Sequence, residues 1–247
     1  MNEMDGKEVT KNFSADKSEL GFEYQFYFFL WKLLEMKTDE TVSWEVKDDV
    51  SLDLPDGTSY LFQVKHTIQK KSDGMMANLT DLDSDLWKTL SNWSQIINSK
   101  GDVPKQKAFL EKTFFVLASN KSEKTESITR MIENYVNGEG NFLELKKKII
   151  EFQTKSENEM LKKYIGSLLN LGDEVLISFI KHIHFQLEED DLIKKCKNAI
   201  LEKMIPLDKV DLVYDSLYSN IRNDNYITIK NGEIVSISFE NFQKKYS

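Results

Sequence analysis

The spacing of apolar residues changes several times along this chain, and each change predicts an element. Leu20, Tyr24, Tyr27, Phe28, Trp31 and Leu34 recur at three- and four-residue steps, the period of one helix face, which predicts a helix over 18–36. Residues 1–17 are polar and without period, the pattern of a loose leader. Three short β-type runs follow at 41–47, 49–54 and 59–66. The last two flank Pro55-Asp56-Gly57, a turn in which Gly57 can supply a positive φ. Leu82, Leu86, Leu90, Trp93 and Ile97 form the buried stripe of a helix over 81–98, and the aspartates of its first turn suit the helix dipole. The run 113–119 (TFFVLAS) reads as a strand buried on both faces.

Beyond residue 122 the period is helical, with helices predicted over 123–137, 142–153, 158–169, 173–187, 191–204 and 207–222. A closing hairpin of 226–230 and 233–239 would turn at Asn231-Gly232, a favoured type I′ pair. The expectation is an α/β protein: a core over 18–120 in the order helix, three strands, helix, strand, and a mostly helical extension over 121–247 that ends in a β-hairpin and packs on the core.

Composition narrows the class. Apolar residues make up 40% of 247 positions and charged residues 30%, an ordinary globular mixture that excludes collagen-like and wholly disordered chains. The apolar run 26–34 is broken by Lys32 and is too short to span a bilayer, and Asn2, Glu3 and Asp5 after Met1 do not resemble a secretion signal. The expectation is a soluble cytoplasmic protein with no membrane contact. A lone cysteine, Cys196, excludes an internal disulfide framework. The net charge of −8 is uneven: residues 1–60 carry −8, residues 61–125 carry +3 and residues 126–247 carry −3. A polyanion would approach the middle segment, while the acids of the first could hold a cation.

Chemistry gathers in Trp44-Glu-Val-Lys-Asp-Asp-Val50 and Leu61-Phe-Gln-Val-Lys-His66. On a strand Gln63 and Lys65 share one face, with Phe62 and Val64 on the other. A three-residue turn at 55–57 would pair Leu54 with Thr58 and bring Asp49 opposite Gln63; a four-residue turn would set Asp49 against Val64 and turn it away. Asp48, the competitor, points oppositely in the first register. An acid, an amide oxygen and a lysine on one face suit phosphodiester hydrolysis. Hard oxygens hold Mg²⁺ (or Mn²⁺), and a lysine can position water or offset developing charge. Glu23, in Gly21-Phe-Glu-Tyr-Gln25, lies beside an apolar stripe and needs a partner, which a metal could be. His182 and His184, if helical, point about 200° apart and cannot chelate one ion.

These residues resemble a PD-(D/E)XK nuclease. Gly21-Phe-Glu-Tyr-Gln25, Glu45…Asp48-Asp49-Val50, Gln63-Val-Lys-His66 and Leu86-Trp-Lys…Asn92-Trp93 are similar to the DNA endonuclease effector domain of bacterial anti-phage systems, found in CBASS effectors and the Lamassu effector LmuA. The resemblance covers 18–120 and implies a restriction-endonuclease-like αβββαβ core. It implies Asp49, Gln63 and Lys65 as the catalytic trio and Glu23 as an additional acidic site residue, with Asp49, Gln63 and Glu23 on the metal and Gln63 in place of the usual acid. It also implies double-stranded DNA as substrate, and regulation by an SMC-like ATPase or other sensor subunit, or by homo-oligomerisation when active. Lys70, Lys71 and Lys88 are the candidate phosphate contacts beside Lys65. The alternative is a catalytically degenerate nuclease fold serving as an interaction subunit.

Overall fold

A computed structural model describes residues 5–123 and 127–246, with side chains described from residue 18 on. The elements are α1 (Asp5–Glu35), β1 (Thr41–Trp44), β2 (Val50–Asp53), β3 (Ser59–Lys65), α2 (Ser84–Asn98), α3 (Val103–Leu110), β4 (Thr113–Ser119), α4 (Ile128–Val136), α5 (Phe142–Lys155), α6 (Glu159–Leu169), α7 (Asp173–Ile180), β5 (Ile183–Gln186), α8 (Leu192–Leu201), α9 (Val210–Lys230), β6 (Val235–Ser238) and α10 (Phe239–Tyr246). The strands form one mixed sheet in the order β5-β4-β3-β2-β1-β6. Strands β1, β2 and β3 make an antiparallel meander, β4 and β5 continue it in parallel, and β6 closes the far side antiparallel to β1. The protein is therefore α/β, with helical layers on both faces of the sheet.

The two faces bury separate cores. Val42, Val50, Phe62, Val64, Val116 and Ala118 of the strands pack toward α1, α8 and α9. Leu61, Phe115, Leu117 and Ile183 pack toward α2 and the helices from α4 to α7. This split is the period-two alternation of each strand made physical. Helix α1 is enclosed almost all round from Phe28 to Leu34, because the sheet lies under it and α8 and α9 cover it. No helix among the described residues is long and apolar enough to cross a membrane.

Several expectations need correction. Residues 5–17, read as a loose leader, are the first part of α1; residues 1–4 of that stretch lie outside the described residues. The sequence offers no proline to stop a helix there, and polarity alone was a poor guide. The helix expected over 173–187 ends at Ile180, and its second half is β5, bonded in parallel to β4. Its alternating β-branched and aromatic residues favour a strand once a neighbouring edge is available. His182 and His184 accordingly lie side by side against the Phe114 ring rather than on a helix.

The closing hairpin is not formed. Residues 226–230 are the last turns of α9, and Asn231-Gly232 ends that helix: Gly232 has φ 76°, its N–H donates to Ile229 O at 2.9 Å, and Glu233 N–H donates to Thr228 O at 3.0 Å. The second arm does form a strand, but β6 pairs with β1 instead. Residues 121–247 thus do more than pack on a core over 18–120, since they contribute β5 and β6 to the same sheet. The helix predicted over 123–137 begins at Ile128, and residues 124–126 lie outside the described residues. Helix α3 was not anticipated; Asp102 caps it and Pro104 stands in its first turn.

Candidate functional site

The site is built where β3 ends. The turn between β2 and β3 holds three residues: Leu54 N–H donates to Thr58 O at 2.8 Å, Gly57 adopts φ 83°, and Asp56 Oδ1 accepts from Thr58 N–H at 2.8 Å. That turn pairs Asp53 with Ser59 and Val50 with Phe62, so the same register continued by one residue sets Asp49 opposite Gln63. The longer-turn alternative is excluded. Gln63 is buried on the Leu61 face, while Phe62 and Val64 enter the opposite core.

Asp49 stands just before β2, where the ladder opens. Its Oδ2 accepts from Val64 N–H at 2.8 Å and from the Gln63 amide Nε2. The Gln25 side chain on α1 lies close enough to this carboxylate to lower its pKa. Burial nevertheless pushes the Asp49 carboxyl above the usual carboxylate range; the Val64 N–H, the nearby Lys65 charge and the two amides act against it.

Two more acids share the neighbourhood. Residues 45–49 form a tight bend in which Glu45 takes φ 56° and its N–H donates to Asp49 O at 3.0 Å. Glu45 is raised by desolvation and by the Asp49 charge, and lowered by Lys65. Asp48 turns toward α2, where its Oδ2 accepts from Trp93 Nε1 at 2.6 Å and its Oδ1 from Asp49 N–H at 3.0 Å. Burial pushes Asp48 up to about 6 despite the Trp93 bond. Three carboxyls held above their normal range around one lysine form a site short of positive charge.

Glu23 is elsewhere. Its carboxylate takes a hydrogen bond from Tyr218 Oη at 3.0 Å and an ion pair from Arg222, both on α9. Two residues along a helix rotate the side chain by about 200°, so Gln25 meets Asp49 and Glu23 meets α9. The half-buried acid did need a partner, and Arg222 supplies it. Of the candidate phosphate contacts, Lys70 and Lys71 lie on the loop after β3, with Lys71 Nζ donating to Asn78 Oδ1 at 3.0 Å, and Lys88 is exposed on α2. His66, next to Lys65, packs its ring 4.8 Å from that of Tyr24.

Gln25 and Glu45 stand in the sequence motifs, but the residues around them assign neither a role. Gln25 was legible as the polar residue set between buried Tyr24 and Phe26; Glu45 carried no such signal, because only the bend at 45–49 turns it inward.

The donor chemistry fits a hard divalent cation. Gln25 Oε1 is buried with no hydrogen-bond partner, beside a carboxylate that burial disfavours as an anion. No group of three or more His, Cys, Asp or Glu side chains is placed to hold a metal among the described residues. An ion here would rest on Asp49, with Glu45 close by, and on the amide oxygens of Gln25 and Gln63. The chain matches no protein-family model and no curated protein.

Proposed function

We propose that this chain is a Mg²⁺-dependent (or Mn²⁺-dependent) DNA endonuclease of the PD-(D/E)XK kind, acting as the effector subunit of a bacterial defence system against phages or plasmids. The carrying observation is that Asp49, Gln63, Gln25 and the charge of Lys65 meet at one end of the sheet. The order of elements supports the reading. A helix, an antiparallel three-strand meander, two helices and a fourth strand parallel to the third are compatible with the αβββαβ core that the sequence resembles.

Asp49 and the amide oxygens of Gln63 and Gln25 would hold the ion, replacing Glu23 in that role. A divalent ion so held neutralises a phosphate and lowers the pKa of bound water. Lys65 holds the attacking water or offsets charge on the pentavalent phosphorus, and its ammonium already acts on all three carboxyls. Lys70, Lys71 and Lys88 would take phosphates of double-stranded DNA. A regulator such as an SMC-like ATPase, or homo-oligomerisation on activation, would control the cut.

The test is plasmid cleavage by the purified chain with Mg²⁺ or Mn²⁺, alone and with its regulator, comparing wild type with Asp49→Ala and Lys65→Ala. Cleavage lost in both variants supports the site; cleavage equal to wild type in both overturns it. One observation favours the degenerate reading: the Gln63 amide turns its N–H₂ toward Asp49 and so satisfies the carboxylate without a metal. A calorimetric Mn²⁺ titration with no heat that Asp49→Ala removes would decide for that alternative.

A further inference from the structure

On the α1 and α9 side of the sheet lies a cavity of about 620 Å³. Trp44, Arg222 and Asn225 line it, and each has a buried nitrogen with no hydrogen-bond partner: Trp44 Nε1, Arg222 Nη1 and Asn225 Nδ2. Asn225 is only 2% exposed. All three atoms are donors. Buried donors are almost always satisfied, so three orphans around one cavity mark a place where acceptors are missing.

The remaining lining says which acceptors fit. Among the described lining residues Glu19 and Glu23 outnumber the single cation Arg222, whose other nitrogen is already paired with Glu23. A phosphate or carboxylate would enter against that balance, whereas a neutral acceptor would not. Phe22 and Tyr226 give the cavity aromatic walls and are both more than half exposed. None of the three donors is open to water in this conformation, so binding displaces the side chains that cover them. Trp44 pairs with Val50 and directly precedes Glu45, so the cavity shares an end of the sheet with the Asp49 site, two strands from Gln63.

We propose that this cavity binds a nucleobase, a neutral planar ring whose carbonyl oxygens and ring nitrogens accept from Trp44, Arg222 and Asn225 while its faces lie against the aromatic walls. This goes beyond the nuclease reading and does not depend on it, because the cavity uses neither Asp49 nor Lys65. The base belongs either to a free nucleoside or to a DNA strand, and the chemistry of recognition is the same.

The experiment follows tryptophan fluorescence and calorimetric heat as wild type, Trp44→Phe and Asn225→Leu are titrated with the four deoxynucleosides, with single-stranded oligonucleotides and with N-acetyltryptophanamide, all without divalent ions. Trp44→Phe keeps an aromatic ring against Phe26 and Phe29 and removes the N–H donor with part of the indole. The expected result is saturable binding of at least one nucleoside or oligonucleotide, weakened about tenfold by Trp44→Phe, the effect of one lost hydrogen bond. Nucleoside binding identifies a free ligand, and binding of oligonucleotides alone identifies a base carried by a strand. The proposal is overturned if no base-bearing probe saturates, if Trp44→Phe binds as wild type, or if only the peptide-like amide binds. Asp49→Ala should abolish cleavage and leave base binding intact, so failure of the nuclease reading and failure of this one are told apart.

Discussion

Gln63 and Asp49 face each other across the β2–β3 ladder with the amide donating to the carboxylate. The contact exists because the turn at 55–57 holds three residues, and it makes the pair a sensitive probe of what the site is for. Gln63→Glu replaces the donor with a second carboxylate against a buried one. In metal-free buffer it should cost about 2 kcal/mol, since a hydrogen bond to a charged group is exchanged for repulsion. If the site holds a divalent ion, Mn²⁺ should restore that loss and bind more tightly than to wild type. Thermal melts with and without Mn²⁺ read both effects; a variant whose melting ignores Mn²⁺ speaks against an ion at this position.

Gln25 and Glu23 stand two residues apart on α1 and make opposite predictions. Gln25→Leu removes a buried oxygen that has no partner and a polar amide beside Asp49, so Mn²⁺ affinity should fall about tenfold. Glu23→Gln should leave Mn²⁺ affinity unchanged, because Glu23 belongs to Tyr218 and Arg222. The stability cost of Glu23→Gln should stay near 1 kcal/mol or below, as the pair is partly open to water. Calorimetric titration of the two variants separates them, and equal losses of affinity would return Glu23 to the site.

What the sequence made legible followed from short-range rules. Alternation on β3 put Gln63 and Lys65 on one face, and turn length fixed Asp49 opposite Gln63, so the center of the site was readable. What escaped was set by contacts distant in sequence. Glu23 met Arg222 from α9, a partner 199 positions away that local pattern could not reveal. Residues 183–186 had a helix-compatible apolar pattern and became β5 because β4 offered an edge. Asn231-Gly232 fits both a type I′ hairpin turn and a helix C-terminus; the sequence signal is the same, and the register of β6 with β1 decides between them.

That ambiguity can be measured at Gly232. With φ at 76° and no atom within 4 Å of an added Cβ, Gly232→Ala meets no clash and strains only the backbone. The expected loss is about 1 kcal/mol, a drop of a few degrees in Tm for a domain of this size. Asn231→Ala should cost less, since Asn231 is in the ordinary right-handed helical region. A type I′ turn needs positive φ at both positions, so equal and large losses at the two would instead indicate the hairpin.

Asp48 predicts a pH dependence whose sign is unambiguous. Burial against α2 pushes its carboxyl up to about 6, while the unfolded chain titrates near the ordinary aspartate value of about 3.9. Between those values the native state holds a proton that the unfolded state has released, so stability falls as pH rises. The favourable contribution is complete below about pH 4 and is lost by the time pH passes the folded value of about 6. Asp48→Asn keeps an oxygen for the Trp93 N–H, gives up the acceptor for the Asp49 N–H and cannot ionise. Whatever its offset near pH 4 from the lost Asp49 N–H acceptor, the variant should gain on wild type by roughly 1–3 kcal/mol by pH 7 and above, the scale of a shift of about two pH units. A cation bound beside Asp49 favours the ionised acids, so Mn²⁺ should flatten the wild-type slope and bind more weakly below the folded value of about 6. Urea unfolding across this range, with and without Mn²⁺, measures each of these; parallel wild-type and Asp48→Asn profiles would mean that Asp48 does not carry the titration.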